Sequence, residues 1–332
     1  MARNVQIKAK ALLVCLAAAV LMCGCGKKAD LVNEYSFENR VDRFPKDESD
    51  DFSCAFAETI CVPTDVDDTE TALTADAAAV FDLNGGESVF QQNVLERMNP
   101  ASTTKIMTAI VALKNGNLSD LVTVTEDAVI NEAGSSMAGV KPGDVMSLKD
   151  LLYGLMIPSG NDAANAIAVH VGGSIENFVA MMNEEAQRLG ATGTHFANAN
   201  GLTNEDHYTT AYDLYLMFNE ALKYDEFREI IGTFSYTSEY TDADGNPLTA
   251  TWGVGNYYMN GKVETPEGLT VFGGKTGTTN AAGYCLIMGS RTDDGHEYAS
   301  VIMKADNRIA IYEDMTKIIS KIDKKSLQFI SK

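Results

Sequence analysis

The chain is short of histidine, of paired cysteines and of positive charge, and each shortage removes a class of chemistry. Its four histidines, at positions 170, 195, 207 and 296, show no spacing that would gather them around a metal. Its six cysteines include no Cys-x-x-Cys pair. A metal centre is not expected, and no other cofactor is implied. Lysine and arginine total 26 against 46 aspartates and glutamates, a net charge of −20. Such a surface repels nucleic acid and acidic lipid headgroups, so neither is an expected partner. At 332 residues and 45% hydrophobic, the chain has material for one large domain or two small ones.

The apolar run that stands out, Ala11 to Met22, follows Arg3, Lys8 and Lys10. This is the order of a secretory signal, and the run is too short for a comfortable membrane span. It ends in "LMCGCG", which resembles a bacterial lipobox, where small residues precede a cysteine that is lipidated after cleavage. Gly24–Cys25 fits best, so residues 1–24 are expected to be removed and Cys25 to carry lipid. Plain secretion and an uncleaved anchor are the alternatives. Loss of the leader removes three basic residues and no acid, taking the net charge from −20 to −23. The expectation is a soluble body outside the cytoplasm, tethered at one end to the outer face of the membrane. Cys54 and Cys61 are able to bridge in an oxidising compartment. Cys285, in "GYCLIMG", reads as a buried hydrophobe.

Residues 25–70 are polar and acid-rich ("DESDD", "DVDDTE") and read as a tether, of which "FSCAFAETICV" is able to dock on the body. A globular domain is expected over 71–325, ordered from near Ala75, with a tail at 326–332. "AAAVFDLNGGESVFQQN" carries a hairpin signal around Asn84-Gly85-Gly86. A helix beginning around Ser102 should end near Asn115-Gly116. Ser147, with Asp150 three later, caps "LKDLLYGLMI", which Pro158 stops. "NDAANAIAVHV", "SIENFVAMMNEEAQRLG" (opened by Ser174) and "TTAYDLYLMFNEALKY" read as further helices. After about residue 233, strands return in "LTVFGGKTGTT", "GYCLIMGSR" and "YASVIMKA", and "IAIYEDMTKIISKI" closes as a helix. The order predicts an α+β fold, with a central antiparallel sheet built from both chain ends, flanking helices and a mostly helical insert.

Three short stretches point to chemistry. "PASTTKIMTA" sets Ser102 three residues before Lys105, which puts hydroxyl and amine on one face of a helix start. Alone this is weak, since a Ser-x-x-Lys arises by chance roughly once in a chain this long. "IPSGNDAAN" adds Ser159, Gly160 and Asn161 at a joint between two helices. "GGKTGTT" adds Lys275, Thr276 and Gly277 on a strand. The order S-x-x-K, S-x-N, K-T-G is the signature of penicillin-binding proteins and serine β-lactamases.

With these motifs, and with "KPGDVMSLKDLLYGLMIPSGNDAANA", "THFANANGL", "HYTTAYDL" and "GGKTGTTNAAGYCL", residues 75–305 resemble the D-alanyl-D-alanine carboxypeptidases. These are low-molecular-weight penicillin-binding proteins of the S11 serine peptidase type. The resemblance implies a β-lactamase/transpeptidase-like fold, peptidoglycan stem peptides ending in D-Ala-D-Ala as substrates, and β-lactams as covalent inhibitors. It implies Ser102 as nucleophile and Lys105 as its base. Burial pushes a lysine toward neutrality, so its amine can take the serine proton. Ser159 would relay a proton to the leaving amine, and Asn161 would hold the substrate amide and orient Lys105. Lys275 would supply charge near the substrate carboxylate, alongside Thr276 and Thr278. The amides of Ser102 and, by resemblance, Thr278 would form the oxyanion hole, and Gly277 would keep that strand bare. His207 falls within the resemblance but reads as a packing or hydrogen-bonding residue.

Two departures stand out. Many relatives continue into a β-rich domain and an amphipathic membrane helix, whereas this sequence stops at Lys332, so the lipid at Cys25 is expected to replace that anchor. The stretch before K-T-G, "ATWGVGNYYMNGK", lacks the arginine that some relatives use to hold the substrate carboxylate. Two other readings compete with this one. A class A β-lactamase needs a deacylating glutamate downstream of its S-x-N serine, and the matching stretch here, "ATGTHFANAN", has no acid. A non-catalytic peptidoglycan-binding or β-lactam-sensing module of the same fold would not need all three motifs intact.

Overall fold

The hairpin expected around Asn84-Gly85-Gly86 forms as β1 (Ala77–Asp82) and β2 (Ser88–Gln92). Asp82 makes its turn: one carboxylate oxygen accepts from the amides of Asn84 and Gly85, each at 2.8 Å, and Gly86 supplies the positive φ of 70°. The computed structural model describes residues 60–64 and 67–322. The leader, Cys25, Cys54, most of the expected tether and the tail lie outside them. Cys61 is fully buried, its amide donating to the Tyr215 hydroxyl and its carbonyl accepting from that of Tyr212.

A 3-10 turn, Ala101–Thr104, leads into α1 (Lys105–Asn115), which Gly116 caps. The insert continues through β3 (Leu121–Thr123), β4 (Val145–Ser147), α2 (Leu148–Met156), α3 (Asn161–Gly172), α4 (Ile175–Arg188), α5 (Ala211–Ala221) and α6 (Asp225–Gly232). Then come β5 (Ser235–Thr241), β6 (Pro247–Gly253), β7 (Leu269–Thr279), β8 (Gly283–Thr292), β9 (Glu297–Ala305) and α7 (Ala310–Ile319). The helix starts follow local chemistry. The hydroxyls of Ser147, Ser174 and Thr210 accept from the amides three residues on, filling donors the helix leaves unpaired.

The main sheet runs β2-β1-β9-β8-β7, antiparallel throughout, so both chain ends build it as expected. Both its faces are buried. Along β1, Ala77, Ala79 and Phe81 join the core under the helical insert, while Ala78 and Val80 join the core under α7. This explains strands that read as continuous apolar runs. Helix α1 lies inside the larger core, with every residue from Lys105 to Ala112 buried. Burying a large aliphatic side chain there contributes roughly 1.5–3 kcal/mol, so α1 is fixed by packing rather than by propensity.

Two features differ from the sequence expectation. The insert has a sheet of its own, β3-β4-β5-β6, because the β5–β6 hairpin pairs back onto strands of three residues each. Ser102 sits on the 3-10 turn, not on the α-helix. Ala101 takes a positive φ of 49°, Pro100 brings no N–H, and the Thr103 hydroxyl bonds the Pro100 carbonyl at 2.7 Å, which tightens the chain before α1 begins.

Candidate active site

The tight turn improves the predicted pairing, because residues three apart eclipse on a 3-10 helix. Lys105 Nζ donates to Ser102 Oγ at 3.0 Å, to Asn161 Oδ1 at 2.7 Å and to the Asn200 carbonyl. Lys105 has 0% exposure. Burial holds its ammonium well below the usual lysine range, the Lys275 charge lowers it further, and Asp162 only partly opposes them. The result is an amine able to exist neutral beside a serine hydroxyl.

The second stretch is held by an aspartate beside it. Ser159 takes the left-handed conformation, φ 64°, which costs a non-glycine residue about 1–3 kcal/mol. Two residues on, α3 opens with Asn161 and Asp162. Asp162, with 0% exposure, receives the amides of Ala138 and Ala163 on one oxygen at 2.8 and 2.9 Å. Its other oxygen receives those of Gly139 and Val140 at 2.8 and 3.0 Å. The Asn161 amide donates to the Ser136 carbonyl at 2.9 Å. Loop 136–140 and the Ser159 turn are therefore one unit.

The third stretch closes the site from β7, an edge strand of the main sheet. Lys275 is 2% exposed, and its Nζ donates to Ser159 Oγ and to the Thr276 carbonyl, both at 2.8 Å. Burial lowers its ammonium to about 7. Gly277 packs against the Ser102 turn: a Cβ there would stand 2.9 Å from the Ser102 amide nitrogen. That close approach, not a special φ, is why glycine is needed. Thr276 and Thr278 flank it and line a cleft of about 240 Å³ with Ser136, Ser159 and Arg308. The structure thus brings together Ser102, Lys105, Ser159, Asn161, Lys275, Thr276, Gly277 and Thr278. Cys25 lies outside the described residues.

Residues outside the three motifs complete the site. The Asn200 carbonyl is a third acceptor for Lys105, and a backbone acceptor leaves no mark in residue type. The Asn200 side chain bonds Asn165 Oδ1 at 3.1 Å. Gly201 follows with φ 89°, where a Cβ would come within 2.1 Å of the Ala101 carbonyl oxygen, so this loop braces the serine turn. Arg308, just before α7, is among the residues that line the cleft. His207 is a buried linker, as expected. Its Nδ1 accepts from the Ala197 amide, which leaves the proton on Nε2 to donate to Thr104 Oγ1 at 2.7 Å. Burial, then the charges of His195 and Lys105, lower it to about 4. Cys285 is 1% exposed and its thiol is pushed up to about 11 by burial.

Comparison with known proteins agrees with this geometry. A family model described as D-alanyl-D-alanine carboxypeptidase matches residues 64–307. D-alanyl-D-alanine carboxypeptidase DacF of Bacillus subtilis is 38% identical over 228 residues, 67% of this chain and 55% of that protein. DacC of Escherichia coli is 35% identical over 266 residues, 76% of this chain and 62% of that protein. The chain therefore spans little more than half the length of these two relatives. The D-alanyl-D-alanine carboxypeptidase of a Streptomyces strain is 31% identical over 265 residues and is covered to 88%. The crystal structure of the Streptomyces DD-transpeptidase has a TM-score of 0.71 at 30% identity, covering 76% of this chain and 98% of that one. Family model, relatives and fold agree: the chain belongs to the D-alanyl-D-alanine carboxypeptidase family.

Proposed function

We propose that the chain is a serine D-Ala-D-Ala carboxypeptidase that removes the terminal D-alanine from peptidoglycan stem peptides through an acyl-enzyme on Ser102. The observation that carries this reading is a wholly buried lysine amine hydrogen-bonded to a serine hydroxyl at 3.0 Å, in a chain of this family. Ser102 Oγ attacks the carbonyl carbon of the penultimate D-alanine as its proton passes to neutral Lys105. The Ser102 and Thr278 amides receive the developing oxyanion. When the C–N bond breaks, the Ser159 hydroxyl gives its proton to the departing amine and regains one from Lys105, which is left neutral again, while Lys275 Nζ holds the Ser159 oxygen in place. Asn161 orients Lys105 and the substrate amide. Lys275, Thr276, Thr278 and Arg308 present positive charge and hydroxyls to the terminal carboxylate. Water then attacks the ester, with Lys105 again the base, and Ser102 is released. The stretch "ATGTHFANAN", where a class A β-lactamase would carry its deacylating glutamate, has no acid, which favours the carboxypeptidase reading. β-Lactams acylate Ser102 and stay.

The same reading has residues 1–24 as a cleaved signal, a lipidated Cys25 holding the enzyme outside the cytoplasm on the membrane, 25–70 as tether and 71–325 as catalytic domain. The leader sequence supports it. The test of activity is release of D-alanine from a synthetic peptide ending in D-Ala-D-Ala. The purified protein should release it and Ser102→Ala should not. Equal release by both would overturn the reading.

A further inference from the structure

The sequence contains one tryptophan, Trp252. It is 6% exposed near the end of β6. Its indole N–H donates to the Ala138 carbonyl at 2.9 Å. Ala138 is the residue whose amide Asp162 holds, and the loop it belongs to takes the Asn161 amide at Ser136. Loop 136–140 is thus gripped from one side by the start of α3 and from the other by the indole. The ring is itself immobilised. It pairs in register with Tyr236 across β5–β6 and lies nearly parallel to that ring, at 12°. Tyr236 stacks on Tyr153 at 3.6 Å, and their hydroxyls are anchored on Asp150 and Glu229, each at 2.7 Å. The far edge of the indole abuts Gly154 of α2, where a Cβ would stand 3.3 Å from Cη2. Directly after Trp252, Gly253 and Gly255 line the cleft, facing a lining that includes Ser136 and Ser159.

We infer that Trp252 is a positioning residue for acylation: its indole N–H ties the β6 lip of the cleft to loop 136–140 and so holds Ser159 and Asn161 in register with Lys105. This rests on the carboxypeptidase reading, and it adds the small second sheet to the catalytic apparatus. Trp252 touches no reacting atom. It acts through Ala138, so its loss should slow bond-making more than it weakens ground-state binding, because misplacing a reactive group by about 1 Å can cost about a hundredfold in rate.

The test uses Trp252→Phe, which keeps an aromatic ring and removes the N–H, and wild-type fluorescence, which needs no variant. Trp252→Phe should acylate with benzylpenicillin about tenfold more slowly, by mass spectrometry, with kcat on a D-Ala-D-Ala peptide falling similarly and KM within about twofold. In the wild type, Trp252 is the only indole, and its emission should stay poorly quenched by acrylamide before and after complete acylation, because the ring is held whether or not the site is occupied. Acylation of Trp252→Phe at the wild-type rate overturns the inference. So does indole emission that is freely quenched by acrylamide in the folded wild type, since the ring would then not be held against loop 136–140. A wild type that never acylates removes the carboxypeptidase reading instead, so the two failures are distinguishable.

Discussion

Asp162 offers the sharpest test of how the site is held. Its carboxylate collects four backbone amides at 2.8–3.0 Å, three of them from loop 138–140, and is wholly buried. Hydrogen bonds to a buried charge are worth about 1.5–3 kcal/mol each, but they do not add, and a truncated site admits some water. Removing one side of such a buried set costs about 3–5 kcal/mol. At roughly 2–4 °C per kcal/mol for a domain of this size, Asp162→Ala should melt roughly 6–20 °C below the wild type. Asp162→Asn separates charge from shape. Its amide nitrogen must face two N–H donors whichever way it turns, so two of the four bonds are lost and about half that effect is expected. The aspartate also holds the Lys105 pKa up against burial. Without its charge, Lys105 should lose its proton at lower pH, and the acid limb of the acylation pH–rate profile should move to lower pH. Calorimetry and stopped-flow acylation read both effects. Variants that melt within about 2 °C of the wild type, with an unmoved profile, would refute the argument.

Three further outcomes follow from the same geometry. Lys105→Arg keeps the charge but not the base, because a guanidinium does not deprotonate near neutral pH; acylation should fall by about 10²–10⁴, and retention within a few-fold would reduce Lys105 to a positive group. Lys275 titrates near 7 in the folded chain and near 10.5 unfolded, so between these values the unfolded state binds more protons and folding stability rises with pH. Relative to Lys275→Met, the wild type should gain up to about 1.4 kcal/mol per pH unit above pH 7 in denaturant melts, and a pH-independent difference would count against the burial cost. Cys25→Ser should move the protein from the membrane fraction to the soluble exported fraction, since a diacylated cysteine anchors stably, and full retention on the membrane would remove the lipid assignment.

What could be read from the sequence was what is local. Ser147, Ser174 and Thr210 cap helices through their own turn, so residue type and spacing suffice. The three motifs were legible because each side chain lies within a short stretch. The second sheet was not, because β3 and β4 have three residues each and their partner strand β5 lies almost a hundred residues downstream. Asp162 stands in plain view beside Asn161, yet most of the amides it satisfies come from a loop more than twenty residues earlier. Arg308 reaches the cleft from beyond two intervening strands, and Asn200 acts through its carbonyl. The 3-10 turn at Ser102 depends on the positive φ at Ala101, a conformation alanine does not announce.

The central claim is that Ser102, activated by Lys105, forms the acyl-enzyme. Intact-mass and peptide mapping of the purified protein after benzylpenicillin treatment tests it most directly. One adduct is expected, located on Ser102 and absent from Ser102→Ala. An unmodified wild type, or an adduct that persists in Ser102→Ala, would contradict it.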